Sequence, residues 1–132
     1  MKSSGLSSLT QYLLSLLRLA AAFVYLAHGT QKMFGVPGHP FHAPVFAATL
    51  FGAAGVIETV GGTLIFLGLF TRSVAFVLSG QMAVAYFTQH SPRGVWPISN
   101  GGELAVLFCF LWLFFCAAGP GPISVDRLRG RM

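Results

Sequence analysis

From Val45 to Phe70 the chain carries a single ionisable side chain, Glu58, in an otherwise apolar or weakly polar run. That stretch exceeds the roughly 20 residues needed to cross ~30 Å of hydrocarbon, and it is too long for a strand or helix of an ordinary soluble core. Similar blocks predict helices over about 12–34, 45–70, 73–90 and 101–118. The last two come near the ~17-residue lower limit for a span only with their flanks. The expected fold class is therefore all-α: an integral-membrane bundle of four transmembrane helices. With 55% hydrophobic and only 8% charged residues, little chain remains for a soluble catalytic module. Residues 1–132 read as one membrane domain ending in a basic tail, 119–132.

The formal charge of +5 would suggest nucleic acid as a partner for a soluble protein. Here Arg127, Arg129 and Arg131 follow the last apolar block, where clustered arginines stay on the cytoplasmic side. With both termini cytoplasmic, Lys2, Arg18, Arg72 and these three arginines lie inside, and Lys32 and Arg93 lie outside. The expected location is an inner, cytoplasmic membrane. The expected partners are the lipid bilayer and other membrane subunits or a second copy of the chain, with no nucleic acid. Arg18 interrupts the first apolar run and no small-residue cleavage site follows, so that segment reads as a retained helix rather than a cleaved signal.

Gly35, Pro37, Gly38 and Pro40 end the first helix and open a loop carrying His39 and His42. Thr71–Arg72 leaves so short a link that the second and third helices must be antiparallel neighbours. Trp96, between Pro92 and Pro97, suits an interfacial anchor. Cys109 and Cys116 share a helix face ~10.5 Å apart, too far for a mutual disulfide, and read as packing residues.

Polar side chains inside apolar helices seek partners, which makes them the candidates for function. Arg18, Tyr25, His28 and Lys32 fall on one side of the first helix, and Glu58 stands among the small residues Ala54, Gly55, Gly61 and Gly62 of the second. If these two spans share an outer boundary at Phe34 and Val45, Arg18 lies ~24 Å and Glu58 ~20 Å below it. Arg18 is thus the expected counter-charge of Glu58. Lys32, His90 and Glu103 form a second expected cluster near the outer boundary. Burial disfavours a charged carboxylate and a neighbouring cation restores it, so Glu58 is either a register-fixing ion-pair partner or a proton-handling group. Asn100-Gly101-Gly102-Glu103 has capping-box spacing. His28 and His90 match no metal or haem-attachment spacing, and no nucleotide loop, HExxH or nucleophile elbow occurs. No metal site and no covalent cofactor are expected.

An ordered set of motifs runs through nearly the whole chain: Arg18-Leu19, His28-Gly29-Thr30-Gln31-Lys32, Glu58-Thr59-Val60-Gly61-Gly62, Asn100-Gly101-Gly102-Glu103, and Gly119-Pro120-Gly121 with Asp126. In this it resembles the DoxX family of small bacterial membrane proteins. The resemblance implies a four-helix membrane bundle. Some relatives are subunits of thiosulfate:quinone oxidoreductase, and others are linked to redox or oxidative-stress assemblies. It implies no shared catalytic residue set. The leading expectation is a quinone-linked redox subunit acting with a partner oxidoreductase, its ring-binding groups drawn from Tyr25, His28, Lys32, Glu58 and Glu103. The alternative is a non-catalytic accessory or assembly subunit of a larger complex. A transporter finds less support because no inverted repeat is visible.

Overall fold

The structure is a computed structural model that describes residues 5–38 and 50–131. His39, His42 and the expected helix start at Val45 lie outside the described residues. Four long helices dominate: α1 (Gly5–Phe34), α2 (Leu50–Leu67), α3 (Thr71–Ala85) and α5 (Glu103–Ala118). A π-helical turn, Tyr86–His90, and a 3-10 turn, Ser91–Arg93, continue α3, while α4 (Pro97–Asn100) and α6 (Val125–Leu128) are single turns. No strand occurs among the described residues. Two of these helices, α1 and α2, are long and apolar enough to cross a membrane unaided, and α5 is a shorter apolar helix.

The helix boundaries depart from the sequence pattern where capping outweighs hydropathy. α1 is already helical at Gly5, the first described residue and ahead of the expected start near Tyr12, and its 30 described residues run ~45 Å, longer than the hydrocarbon layer. α2 ends at Leu67, because Gly68 (φ 68°) and Phe70 (φ 52°) both turn left-handed and break the helical ladder. α3 starts two residues early, at Thr71, because the Asp126 carboxylate accepts hydrogen bonds from Phe70 N (2.8 Å) and Thr71 N (2.9 Å). A carboxylate there satisfies amides that the helix leaves unpaired and complements its dipole.

α1 and α2 pack as an antiparallel pair brought close by glycine. A Cβ on Gly29 would lie 2.6 Å from Thr59 N, and one on Gly62 would lie 3.2 Å from the Leu26 backbone. Gly55 likewise sits under Lys32 and Met33. α3 and α5 form the second antiparallel pair, with Ser79 Oγ donating to Cys109 O (2.8 Å). α2 and α3 join the two pairs, Gly61 receiving Leu78. The aromatic core stands between them: the Tyr25 ring meets Phe108 and Trp112 edge-on, each at 5.1 Å between centroids.

Polarity is inverted relative to a water-soluble core. Arg18, Glu58, Asn100 and Asp126 are buried, whereas Phe23, Phe76, Leu107 and Phe110 stand about two-thirds exposed. Soluble monomers rarely expose apolar surface on this scale, and a hydrocarbon solvent explains both halves of the pattern.

At one end the chain's C-terminal segment folds back over the helix ends. Arg18, 1% exposed, donates to Ile65 O (2.5 Å) and Phe66 O (2.6 Å) in the last turn of α2, to Pro120 O (2.9 Å), and to Ile123 O. Ile123 N in turn donates to Ser15 Oγ (3.1 Å). Arg72 closes the end of α5 in the same manner, donating to Cys116 O (3.0 Å) and to Ala117 O. The two guanidiniums thereby satisfy carbonyls that helix geometry leaves unpaired and sit at the negative ends of the helix dipoles.

Gly29→Ala should lower stability by about 2 kcal/mol in detergent unfolding, because the methyl group meets backbone rather than a movable side chain. Gly80, with nothing within 4 Å, is the control, and its alanine variant should be neutral or gain up to ~1 kcal/mol. Arg18→Ala strands several carbonyls away from water and should cost at least about 3 kcal/mol in the same measurement.

Candidate functional site

The register of the α1–α2 pair decides which charges meet. Lys32 and Met33 come opposite Gly55, where a shared outer boundary would have put residues near Val45. The actual alignment is displaced by about nine residues, ~14 Å at 1.5 Å per residue. The expected Arg18–Glu58 pair is therefore not formed. Arg18 lies beside the end of α2, and Glu58 lies level with Lys32. Lys32 Nζ donates to Glu58 Oε1 (2.7 Å) and Oε2 (2.9 Å), the ion pair found among the described residues.

The carboxylate is 1% exposed, and a third hydrogen bond reaches it from α3, where Gln81 Nε2 donates to Glu58 Oε1 (3.0 Å). Gln81 Oε1 accepts from the buried Tyr25 hydroxyl. Tyr25, Gln81, Glu58 and Lys32 thus form one continuous chain across α1, α2 and α3. Breaking a buried ion pair from one side leaves an uncompensated charge and is strongly destabilising, so the network fixes the mutual register of the three helices. Gln81 escaped the sequence reading. Its signal was there, a lone amide in the apolar stretch of α3, but an amide carries no formal charge and drew no attention.

This network floors a cleft of about 730 Å3 between the two helix pairs. Its walls are apolar, with Ile57, Val77, Met82, Leu104 and Phe108 among them. His28, half-buried and one turn from Lys32 on the same helix face, lines the cleft and makes no hydrogen bond among the described residues. The π-helical turn brings Thr88, Gln89 and His90 to the rim, with Arg93 beyond them. His90 Nδ1 lies 3.3 Å from Asn100 O, which makes that nitrogen the donor and leaves Nε2 free.

The expected outer cluster is redistributed. Lys32 is drawn to Glu58, and its ammonium also lies 5.2 Å from the centre of the Phe51 ring. His90 stays on the cleft, but Glu103 does not join it. Glu103 is exposed in the first turn of α5, beside a separate shallow groove with Pro97 and Leu107. The expected capping box is also absent: Gly102 is the N-cap of α5 without a side-chain cap, and Asn100 Oδ1 accepts from Gly102 N (2.8 Å), closing a local turn. Asn100 Nδ2 donates to Gly94 O (2.8 Å) and to Tyr86 Oη (3.2 Å), tying the rim together.

Buried charges, an apolar exterior and a polar-floored cleft define a helical membrane protein with an internal cleft. The chain belongs to the DoxX family, whose family model matches residues 13–91. It is 40% identical over 128 residues to an uncharacterized protein of Haemophilus influenzae, covering 94% of this chain and 96% of that one. It is 30% identical over 126 residues to an uncharacterized membrane protein of Mycobacterium tuberculosis, covering 84% and 77% respectively. No solved structure matches. The family and the mycobacterial relative support a membrane location.

A double-mutant cycle tests the ion pair. Lys32→Met and Glu58→Gln should each destabilise the protein, and the double variant should be less damaged than their sum by about 1–3 kcal/mol in detergent unfolding. Strict additivity would mean that the two charges do not act on one another.

Proposed function

We propose that the protein is the quinone-binding membrane subunit of a two-component oxidoreductase. In this reading it is a single unit that crosses the bacterial cytoplasmic membrane four times with both termini inside. One observation carries it: a cleft of a size suited to an aromatic head group, walled by apolar side chains and floored by a buried, ion-paired network. A bound quinone would supply two-electron, two-proton redox chemistry. The chain's own residues hold it: Lys32, Gln81 and His28 offer hydrogen-bond donors at the floor, while Ile57, Met82 and Phe108 enclose the ring. The Lys32–Glu58 pair keeps a carboxylate and an ammonium side by side, a setting in which a proton taken up at one group is balanced at the other. The sequence has no dinucleotide fingerprint and no haem-attachment motif, so the electrons are assigned to a partner subunit.

The four-span topology rests on α1, α2, α5 and the path of α3 through its two added turns to Arg93. Arg18, Arg72 and the tail arginines share one end, opposite Lys32 and Arg93, and the excess of positive charge supports a cytoplasmic position for the first end. The accessory-subunit reading draws less support. Gly29, Gly55, Gly61 and Gly62, the small-residue face that would receive another chain, are occupied by this chain's own helices.

The test is purification from native membranes in mild detergent, with extraction of bound quinone and identification of co-purifying proteins. A bound quinone and an oxidoreductase partner are expected, and Gln81→Leu should retain roughly tenfold less quinone, the weight of one hydrogen bond of about 1.4 kcal/mol. Preparations with no quinone, no oxidoreductase and no quinone-dependent activity would sink the proposal.

A further inference from the structure

The hydrogen-bond inventory of the cleft says more about its occupant than its size does. An ammonium has three hydrogens and an amide nitrogen two. Lys32 Nζ directs two donors at the Glu58 oxygens, and Gln81 Nε2 directs one. One N–H on each therefore has no hydrogen-bond acceptor among the described residues, the ammonium also lying 5.2 Å from the centre of the Phe51 ring. The acceptors of the network are already used or shut away: Glu58 Oε1 takes two hydrogen bonds, Oε2 takes one, and both Glu58 and Tyr25 are 1% exposed. The Lys32–Gln81–Glu58 part of the floor accordingly presents donors to the cleft and withholds acceptors.

Charge points the same way. Among the described residues lining the cleft, two fixed cations, Lys32 and Arg93, stand against one anion, Glu58. Apolar walls strengthen the effect, since a charge there is poorly screened.

We propose that the cleft selects an amphiphile whose head is an oxyanion: an apolar ring or chain carrying an ionised, acceptor-only oxygen group against the Lys32–Gln81 floor, with Arg93 reinforcing the field at the rim. This deepens the quinone reading, on which it rests for the cleft being the ligand site. Among quinone-type molecules it selects those with an ionised hydroxyl on the ring. A neutral head receives the hydrogen bonds without the charge attraction, and a cationic head meets the N–H groups of Lys32 and Gln81 and a lining with more fixed cations than anions among the described residues.

Calorimetric titration of the full chain in nanodiscs, with empty discs as the blank, tests this. The probes are 2-hydroxy-1,4-naphthoquinone, ionised at neutral pH; its neutral 2-methoxy analogue; dodecanoate; and dodecyltrimethylammonium. The hydroxy compound should bind about tenfold more tightly than the methoxy compound, the usual margin of a charge-assisted hydrogen bond over a neutral one. Dodecanoate should bind and the ammonium amphiphile should not. Arg93 is exposed, so Arg93→Gln should fold normally and reduce the hydroxy preference several-fold while leaving methoxy binding within about twofold. The double variant Lys32→Met/Glu58→Gln, which keeps the floor neutral, should reduce it further. Equal affinity for the two naphthoquinones, or a preference that survives in both variants, overturns oxyanion selection and leaves the quinone reading standing. Binding of dodecanoate but of neither naphthoquinone supports oxyanion selection and removes the quinone reading. Binding of none of the probes overturns both.

Discussion

A carboxylate held in an apolar helix pair must find a counter-charge within its own protein, and the Lys32–Glu58 contact meets that demand. With no water to solvate it, Glu58 is tolerable only where Lys32 and Gln81 both reach it, which ties α1, α2 and α3 to one alignment. The glycines are the steric half of the same arrangement. Gly29 and Gly62 let α1 and α2 approach closely, and Gly55 admits Lys32 to the face that carries Glu58. Packing and electrostatics thus specify a single register between them, and the cleft is the space left above it.

The two ends of the molecule resolve their polar groups differently. At the end bearing Arg18 the tail closes the structure: Arg18 binds carbonyls from α2 and from the segment after Pro120, while Asp126 caps α3 and acts on Arg18 through space. There the Arg18 guanidinium and the Asp126 carboxylate are both taken up by helix ends and tail. At the other end the network stops short of full pairing. His28 has no partner among the described residues, Lys32 and Gln81 each keep a donor, and the π-helical turn after Ala85 swings Gln89 and His90 to the rim. π-Turns of this kind recur at functional sites because they re-aim side chains at the expense of a regular ladder. A sealed end and an open one suit a protein that binds within the membrane near one face.

Much of this was legible in one dimension. The helices at α1, α2 and α5 followed from unbroken apolar runs, and the inward turn of Arg18, Tyr25 and Glu58 followed from the poverty of charge around them. Gly119 and Pro120 ended α5 where expected. The pairing of charges was not legible. Helical periodicity gives the angle at which a side chain leaves the axis but says nothing about how far one helix slides along the next, so an assumed shared boundary pointed to Arg18 rather than Lys32 as the partner of Glu58. Gln81 was overlooked for a related reason: the value of an uncharged amide depends on what it faces. The tail read as a basic extension marking the cytoplasmic side, yet its carbonyls and Asp126 became the partners of Arg18 and α3.

By itself, then, the order of residues determined the solvent this protein folds in, the segments that become helical and the identity of the side chains too polar to face lipid. Those properties are local, set by transfer free energies and backbone preferences that each residue carries with it. Tertiary structure alone decided that Glu58 belongs to Lys32, that Arg18 belongs to helix ends and the returning tail, and that a donor-rich cleft remains between the helix pairs. Those outcomes depend on helix translation, which is settled only when glycine contacts, a buried ion pair and the capping of helix ends are satisfied together.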